Sequence, residues 1–162
     1  MESSNHRVLA YGRLVRNLTW LESETIGTGK CCSKSWRQAN LVKSAQVLPT
    51  GRGDYEGYVQ CAFYQDEQET PWFMVVNRRG NYFRPVSAQS PNVVPPGEIG
   101  QHFPEAEPQT LQLKFNLQAR QKYGNSLALR DPYDGTVFRG KNGVIEIVLP
   151  AGEGRLLQLV RQ

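Results

Sequence analysis

Cysteine, histidine and methionine are scarce in this 162-residue sequence, with three, two and two copies. The cysteines are Cys31, Cys32 and Cys61. An odd number with one adjacent pair is a poor disulfide framework, and neighbouring cysteines bridge only with strain; a redox or metal site at Cys31 and Cys32 is the less favoured alternative. His6 and His102 have no second ligand at metal spacing, so neither a metal nor a cofactor is expected. They also leave little to activate a serine or cysteine nucleophile. Gly-x-Ser-x-Gly and the phosphate-binding glycine loop are both missing. No apolar run approaches the roughly 20 residues of a membrane span, and the opening MESSNHRVLAYGR does not read as a secretory signal. A reducing, cytoplasmic setting without membrane contact is expected, and the Asn17-Leu18-Thr19 sequon reads as incidental. The length excludes a complete α/β barrel, which needs about 250 residues.

Hydrophobic residues make up 39% and charged residues 21%, the balance of a globular chain. The net charge of +4 is local: up to Lys43, seven basic residues face three acidic ones, and the remainder is neutral. Such a segment can meet phosphate or an acidic surface, but its cations are spread out and read as a solvated helix face. Basic residues and aromatic rings sit mostly in different segments, so a nucleic acid is not an expected partner.

Residues 4 to 25 read as one amphipathic helix. Val8, Tyr11, Leu14, Val15, Leu18 and Leu21 recur at steps of three and four, with Ser3 or Ser4 as cap and Gly27 and Gly29 as stop. The period then changes to two. Residues 57–65 place Val59, Cys61 and Phe63 on one side. The apolar run 71–79 suits a strand buried on both faces, and the polar Asp66 to Thr70 joins the two. Residues 110–118 alternate, with Leu111, Leu113, Phe115 and Leu117 pointing one way. Strands follow near 127–130 and 136–139, then a final hairpin of 144–149 and 155–160. Residues 41–48 add another strand. This predicts a mostly-β chain: an antiparallel sandwich of about eight strands over 31–162, preceded by a helix and linker over 1–30. Residues 85–109 hold six of the ten prolines and read as a long loop.

The stretch Gly57 to Arg79, with Phe73-Met74-Val75-Val76-Asn77-Arg78-Arg79 after the YVQCAFYQD strand, resembles the C-terminal β-sandwich domain of certain glycoside hydrolases. So does the closing segment from Asp134-Gly135 through Val144–Leu149 and Pro150-Ala151-Gly152-Glu153-Gly154 to Leu159. In those enzymes the preceding helix is the last helix of the catalytic barrel, and Tyr11 to Ile26 looks like such a lead-in. The catalytic carboxylates of the family lie on the barrel, so no catalytic residue carries over. The resemblance implies an accessory role: a sandwich that packs against something or holds a carbohydrate.

Candidate sites follow from residue type. Asp131 and Asp134 flank a turn, and Glu146 and Glu153 lie in the last hairpin; a catalytic pair would need about 5–10 Å between carboxyls across a cleft. Asp in a Pro/Gly turn more commonly serves local hydrogen bonds. Asp66, Glu67 and Glu69 match no defined calcium loop. Gly51-Arg52-Gly53-Asp54 reads as a turn. Trp72, Tyr58, Tyr64 and Tyr82 are candidate rings for stacking on a saccharide, against the alternative that large rings fill the core. The helical stripe from Val8 to Leu21 must be covered, either by its own sandwich or by a second copy in a two-fold dimer. The expected function is a non-catalytic accessory or protein-interaction module. The alternatives are a carbohydrate-binding, lectin-like module and a small hydrolase with a pocket under the 85–109 loop.

Overall fold

A computed structural model describes residues 2–27, 41–48, 58–77, 108–124 and 126–161. Helix α1 spans Glu2–Val15 and is followed by β1 (Thr19–Gly27), β2 (Val42–Leu48), β3 (Tyr58–Gln65), β4 (Pro71–Asn77) and β5 (Gln109–Phe115). A short helix α2 (Leu117–Tyr123) precedes β6 (Leu127–Arg130), β7 (Val137–Arg139), β8 (Val144–Leu149) and β9 (Gly154–Arg161). The strands form two antiparallel sheets, one ordered β1-β3-β4-β9-β6-β7 and one ordered β2-β5-β8. At the corners β1 lies beside β2 and β7 beside β8, so the layers nearly close on each other. The fold is a mostly-β sandwich with an N-terminal helix, as the alternation predicts.

Between the layers lies the main core. Val59, Cys61 and Phe63 of β3, Phe73 and Val75 of β4, and Leu157 and Leu159 of β9 face Leu111, Leu113 and Phe115 of β5 and Ile145, Ile147 and Leu149 of β8. Phe63, Phe73 and Phe115 meet edge to face at 5.5 and 5.9 Å between centroids, and this chain of rings links the two sheets. Cys61 is buried and unbridged, and burial pushes its thiol well above the usual range.

The central strand β4 is buried on both faces, as its continuous apolar run predicts. Its outer face, with Trp72 and Met74, lies under α1: Tyr11, Trp72 and Leu156 form a second cluster, joined by Leu14, Val15, Leu18 and Tyr64. The helical stripe therefore folds back on its own sheet. The Val8 side chain lies outside the described ones.

Three expectations are corrected. The helix does not run from 4 to 25; it ends at Val15, and residues 19–27 form the edge strand β1, paired with β3. Leu18 and Leu21 match helical spacing by coincidence. The Thr19-Trp20 and Thr25-Ile26 pairs favour a pleated backbone, and Leu21 sits at a bulge between Trp20 and Glu22 and packs on the main core. The sandwich thus begins at Thr19, inside the segment expected to be helix and linker. Second, β5 stops at Phe115. Asn116 caps α2, its Oδ1 accepting from the Ala119 N–H at 2.9 Å, and Gly124, at φ 82°, ends it. Leu117 is consequently not a core residue but is 60% exposed. Third, β8 and β9 are not a hairpin. They belong to different sheets, and Pro150 to Glu153 form an arch across the end of the core. Alternation gives each strand's inward face but not its pairing partner.

Candidate functional site

Where α1 crosses the sandwich, side chains from distant parts of the sequence converge. Arg7 and Tyr11 come from α1. Asp131 and Asp134 come from the β6–β7 turn, Glu153 from the arch, and Arg155 from the start of β9. The turn forms as its composition predicts. Asp131 Oδ1 accepts from the Tyr133 N–H and Asp134 Oδ1 from the Thr136 N–H, both at 2.9 Å, and Gly135 takes φ 74°. Each aspartate keeps its second oxygen for the cluster.

Those oxygens are taken. Asp131 Oδ2, fully buried, accepts from the Tyr11 hydroxyl at 2.6 Å and from Arg155 Nη1 at 3.0 Å. Asp134 Oδ2 accepts from Arg155 Nη1 at 3.0 Å and Arg7 Nη2 at 3.3 Å. Glu153 Oε1 accepts from Arg7 Nη1 at 2.8 Å and pairs with Arg155 Nε. The Arg7 guanidinium also stacks 5.3 Å over the Tyr133 ring, and Arg155 lies 5.8 Å over Phe138.

The electrostatics follow. Burial would raise Asp134, but hydrogen bonds from Thr136 and Arg155 outweigh it and hold the carboxyl below its ordinary range. Burial would lower Arg155, but the charge of Glu153 and the bond and charge of Asp134, with Asp131 behind them, raise it. The Tyr11 hydroxyl is pushed far above its ordinary value, first by burial and then by its bond to Asp131. The cluster is a clasp of two arginines and a tyrosine on three carboxylates, and it ties α1 to two turns of the sandwich. Beside it an open groove of about 770 Å³ runs between α1 and the arch, floored by Val15, Met74 and Val76.

The clasp contains three of the four carboxylates weighed as a catalytic pair, Asp131, Asp134 and Glu153. Glu146 stands apart on the outer face of the small sheet, accepting from Gln112, which in turn accepts from Gln46. Asp66 is also committed locally. Its carboxylate accepts from the Gln68 and Thr70 amides and from the Trp72 indole N–H. Burial opposes these bonds but they prevail, and Asp66 titrates below its ordinary range. The acidic hairpin tip is a turn held together by the Asp66 carboxylate. Among the described residues no group of three or more His, Cys, Asp or Glu converges as a metal site.

The candidate rings separate. Trp72 and Tyr64 are cross-strand neighbours, but Trp72 is 8% exposed beneath α1 and offers no ring face to a sugar. Tyr64 is half-buried against the same cluster. The Tyr58 side chain and all of Tyr82 lie outside the described residues, as do Cys31, Cys32, Gly51 to Asp54 and nearly all of the 85–109 loop. Two exposed rings among the described residues were missed, Trp20 and Tyr133, and the Tyr133 ring carries the Arg7 guanidinium. Trp20, opposite Tyr64 on β1, is 59% exposed, and reading 4–25 as helix hid its place on a strand. Of the interface stripe, Tyr11 is buried, Leu14, Val15 and Leu18 pack on the outer cluster, and Leu21 packs on the main core, while the Val8 side chain lies outside the described ones.

Compared with protein-family models, curated proteins and solved structures, the chain matches none. No described helix is long and apolar enough to cross a membrane.

Proposed function

We propose that the chain is a non-catalytic β-sandwich module that acts by docking or holding a partner. The clasp carries this reading. Of the carboxylates that the fold gathers in one place, every one is bound to an arginine or to Tyr11. A general acid needs a carboxyl whose pKa is raised toward neutrality, and Asp134 is shifted the other way. The Tyr11 hydroxyl is committed to Asp131 and is far too weak an acid to serve as a base at neutral pH. The resemblance of residues 57–79 and 134–159 to glycoside hydrolase accessory sandwiches supports the same role. The test is a turnover screen of the full chain on nitrophenyl glycosides, esters and phosphomonoesters. No rate above buffer is expected. Turnover that Glu153→Gln abolishes while the protein stays folded would overturn the proposal.

One observation favours a carbohydrate-binding role within this class. The exposed Trp20 beside Tyr64 on neighbouring strands has the make-up of a stacking platform for a pyranose face, in place of Trp72. A glycan array followed by calorimetry should then give a saccharide whose binding Trp20→Ala removes. An array without a single binder would eliminate this reading and leave the docking role.

A further inference from the structure

At the far side of the small sheet from its arch, an open cleft of about 740 Å³ is lined by Lys43, Lys114 and Arg120 together with Asn116, Gln118 and Asn142. We propose that this cleft is a binding site for a phosphate-bearing ligand. It shares no residue with the clasp and does not depend on the function proposed above.

Charge carries the argument. Three cations line one concave surface, and among the described residues no carboxylate lines it. Like charges gathered in this way repel one another, and a bound anion relieves that repulsion. The clasp shows the contrast within the same molecule, since there each arginine meets two or more carboxylate partners.

Arg120 is held for the task. Its stem crosses Gly143, where an added Cβ would lie 2.8 Å from Arg120 Cδ and where φ is +78°. Only glycine combines that backbone with that proximity. The Arg120 Nε is buried and has no hydrogen-bond partner. The Nε atoms of Arg7 and Arg155 in the clasp are buried in the same way, so it is the other nitrogens of the Arg120 guanidinium that can meet an anion. A phosphate group supplies several acceptor oxygens and up to two charges, matching the guanidinium fork and the point charges of two lysines. Lys43 and Lys114 are exposed at the rim, where each can swing onto the anion. Among the described residues the one ring that lines the cleft, Phe115, is 3% exposed and offers no stacking face to a base. Leu117, 60% exposed, stands among the lining residues as an apolar contact for the remainder of the ligand.

Pyrophosphate is the probe, titrated into the full chain and followed by calorimetry and amide chemical shifts. Saturable binding is expected, with shifts centred on Lys114, Arg120 and Asn142 and an affinity that falls as salt is raised. Lys43→Gln/Lys114→Gln changes two exposed side chains and should leave folding intact. It should weaken binding by about tenfold or more, while Arg139→Gln on β7 should leave it unchanged. Vesicles containing phosphatidic acid, set against pure phosphatidylcholine, separate the sources of phosphate. Retention that pyrophosphate competes away assigns a lipid headgroup, and pyrophosphate binding without retention assigns a soluble phosphoester. Failure to saturate at millimolar pyrophosphate, or equal affinity in the double variant, would overturn the proposal.

Discussion

Asp131 shows how a single residue can be fixed by its surroundings. Its carboxylate is buried and its charge is met by Arg155 and the Tyr11 hydroxyl. Removing the cation leaves a buried charge with only neutral donors, the Tyr11 hydroxyl and the Tyr133 amide, so Arg155→Leu should lower stability by about 3 kcal/mol. Adding Asp131→Asn should restore part of that loss, and urea unfolding of the four proteins of the cycle measures both effects. Asp66 and Asp134 make a prediction in pH. Both titrate in the folded state below their unfolded value of about 3.9, so on acidification the unfolded chain takes up protons first. The stability they contribute is complete above the unfolded pKa and is lost as the pH falls through the lower folded values. Urea midpoints measured downward from about pH 5 should decline, and Asp66→Asn/Asp134→Asn should flatten that decline at the cost of stability near neutrality. Cys61 makes a chemical prediction. In a Cys31→Ser/Cys32→Ser variant a thiol reagent should find no reactive group until the protein is unfolded, since burial keeps the thiol both protonated and inaccessible.

At the scale of elements, the phenylalanine chain between the sheets is the most sensitive packing feature. Phe73 is fully buried at its centre, touching Phe63 within its own sheet and Phe115 across the core. Phe73→Ala should cost about 3–5 kcal/mol in unfolding experiments. These core strands were the legible part of the sequence, because each buries one face or both and so carries period-two alternation or a continuous apolar run. The misread elements share a different cause. Leu18 and Leu21 extended the spacing of α1 into a segment that pairs with β3, and Leu117 extended the alternation of β5 into a helix. In both places a local signal was available: Thr19-Trp20 for the strand, Asn116 and Gly124 for the helix. The arch between β8 and β9 had no such signal. A Pro-Ala-Gly-Glu turn serves a hairpin or a crossing equally well, and the partner of β9 lies at residues 72–76 and 127–130.

For the whole molecule, the candidate site was legible only in its ingredients. Asp131, Asp134 and Glu153 could be singled out as carboxylates, but Arg7, Tyr11 and Arg155 acquire their meaning only when α1 lies across the outer face of the large sheet. Among the described N-terminal cations, Arg7 is spent on the clasp and Lys43 lines the basic cleft at the end of the small sheet, so the local +4 does not belong to one solvated helix face. Two coupled parts result: a sandwich with its own core, and a helix held on it by an apolar cluster and an ionic clasp. Native-state hydrogen exchange of α1, compared between the wild-type chain and Glu153→Gln, tests this most directly. The account predicts that the amides from Arg7 to Val15 are protected in the wild type and lose protection in the variant, while those of β4 and β5 stay protected in both. An α1 that exchanges freely in the wild type, or with the same protection in both proteins, would contradict it.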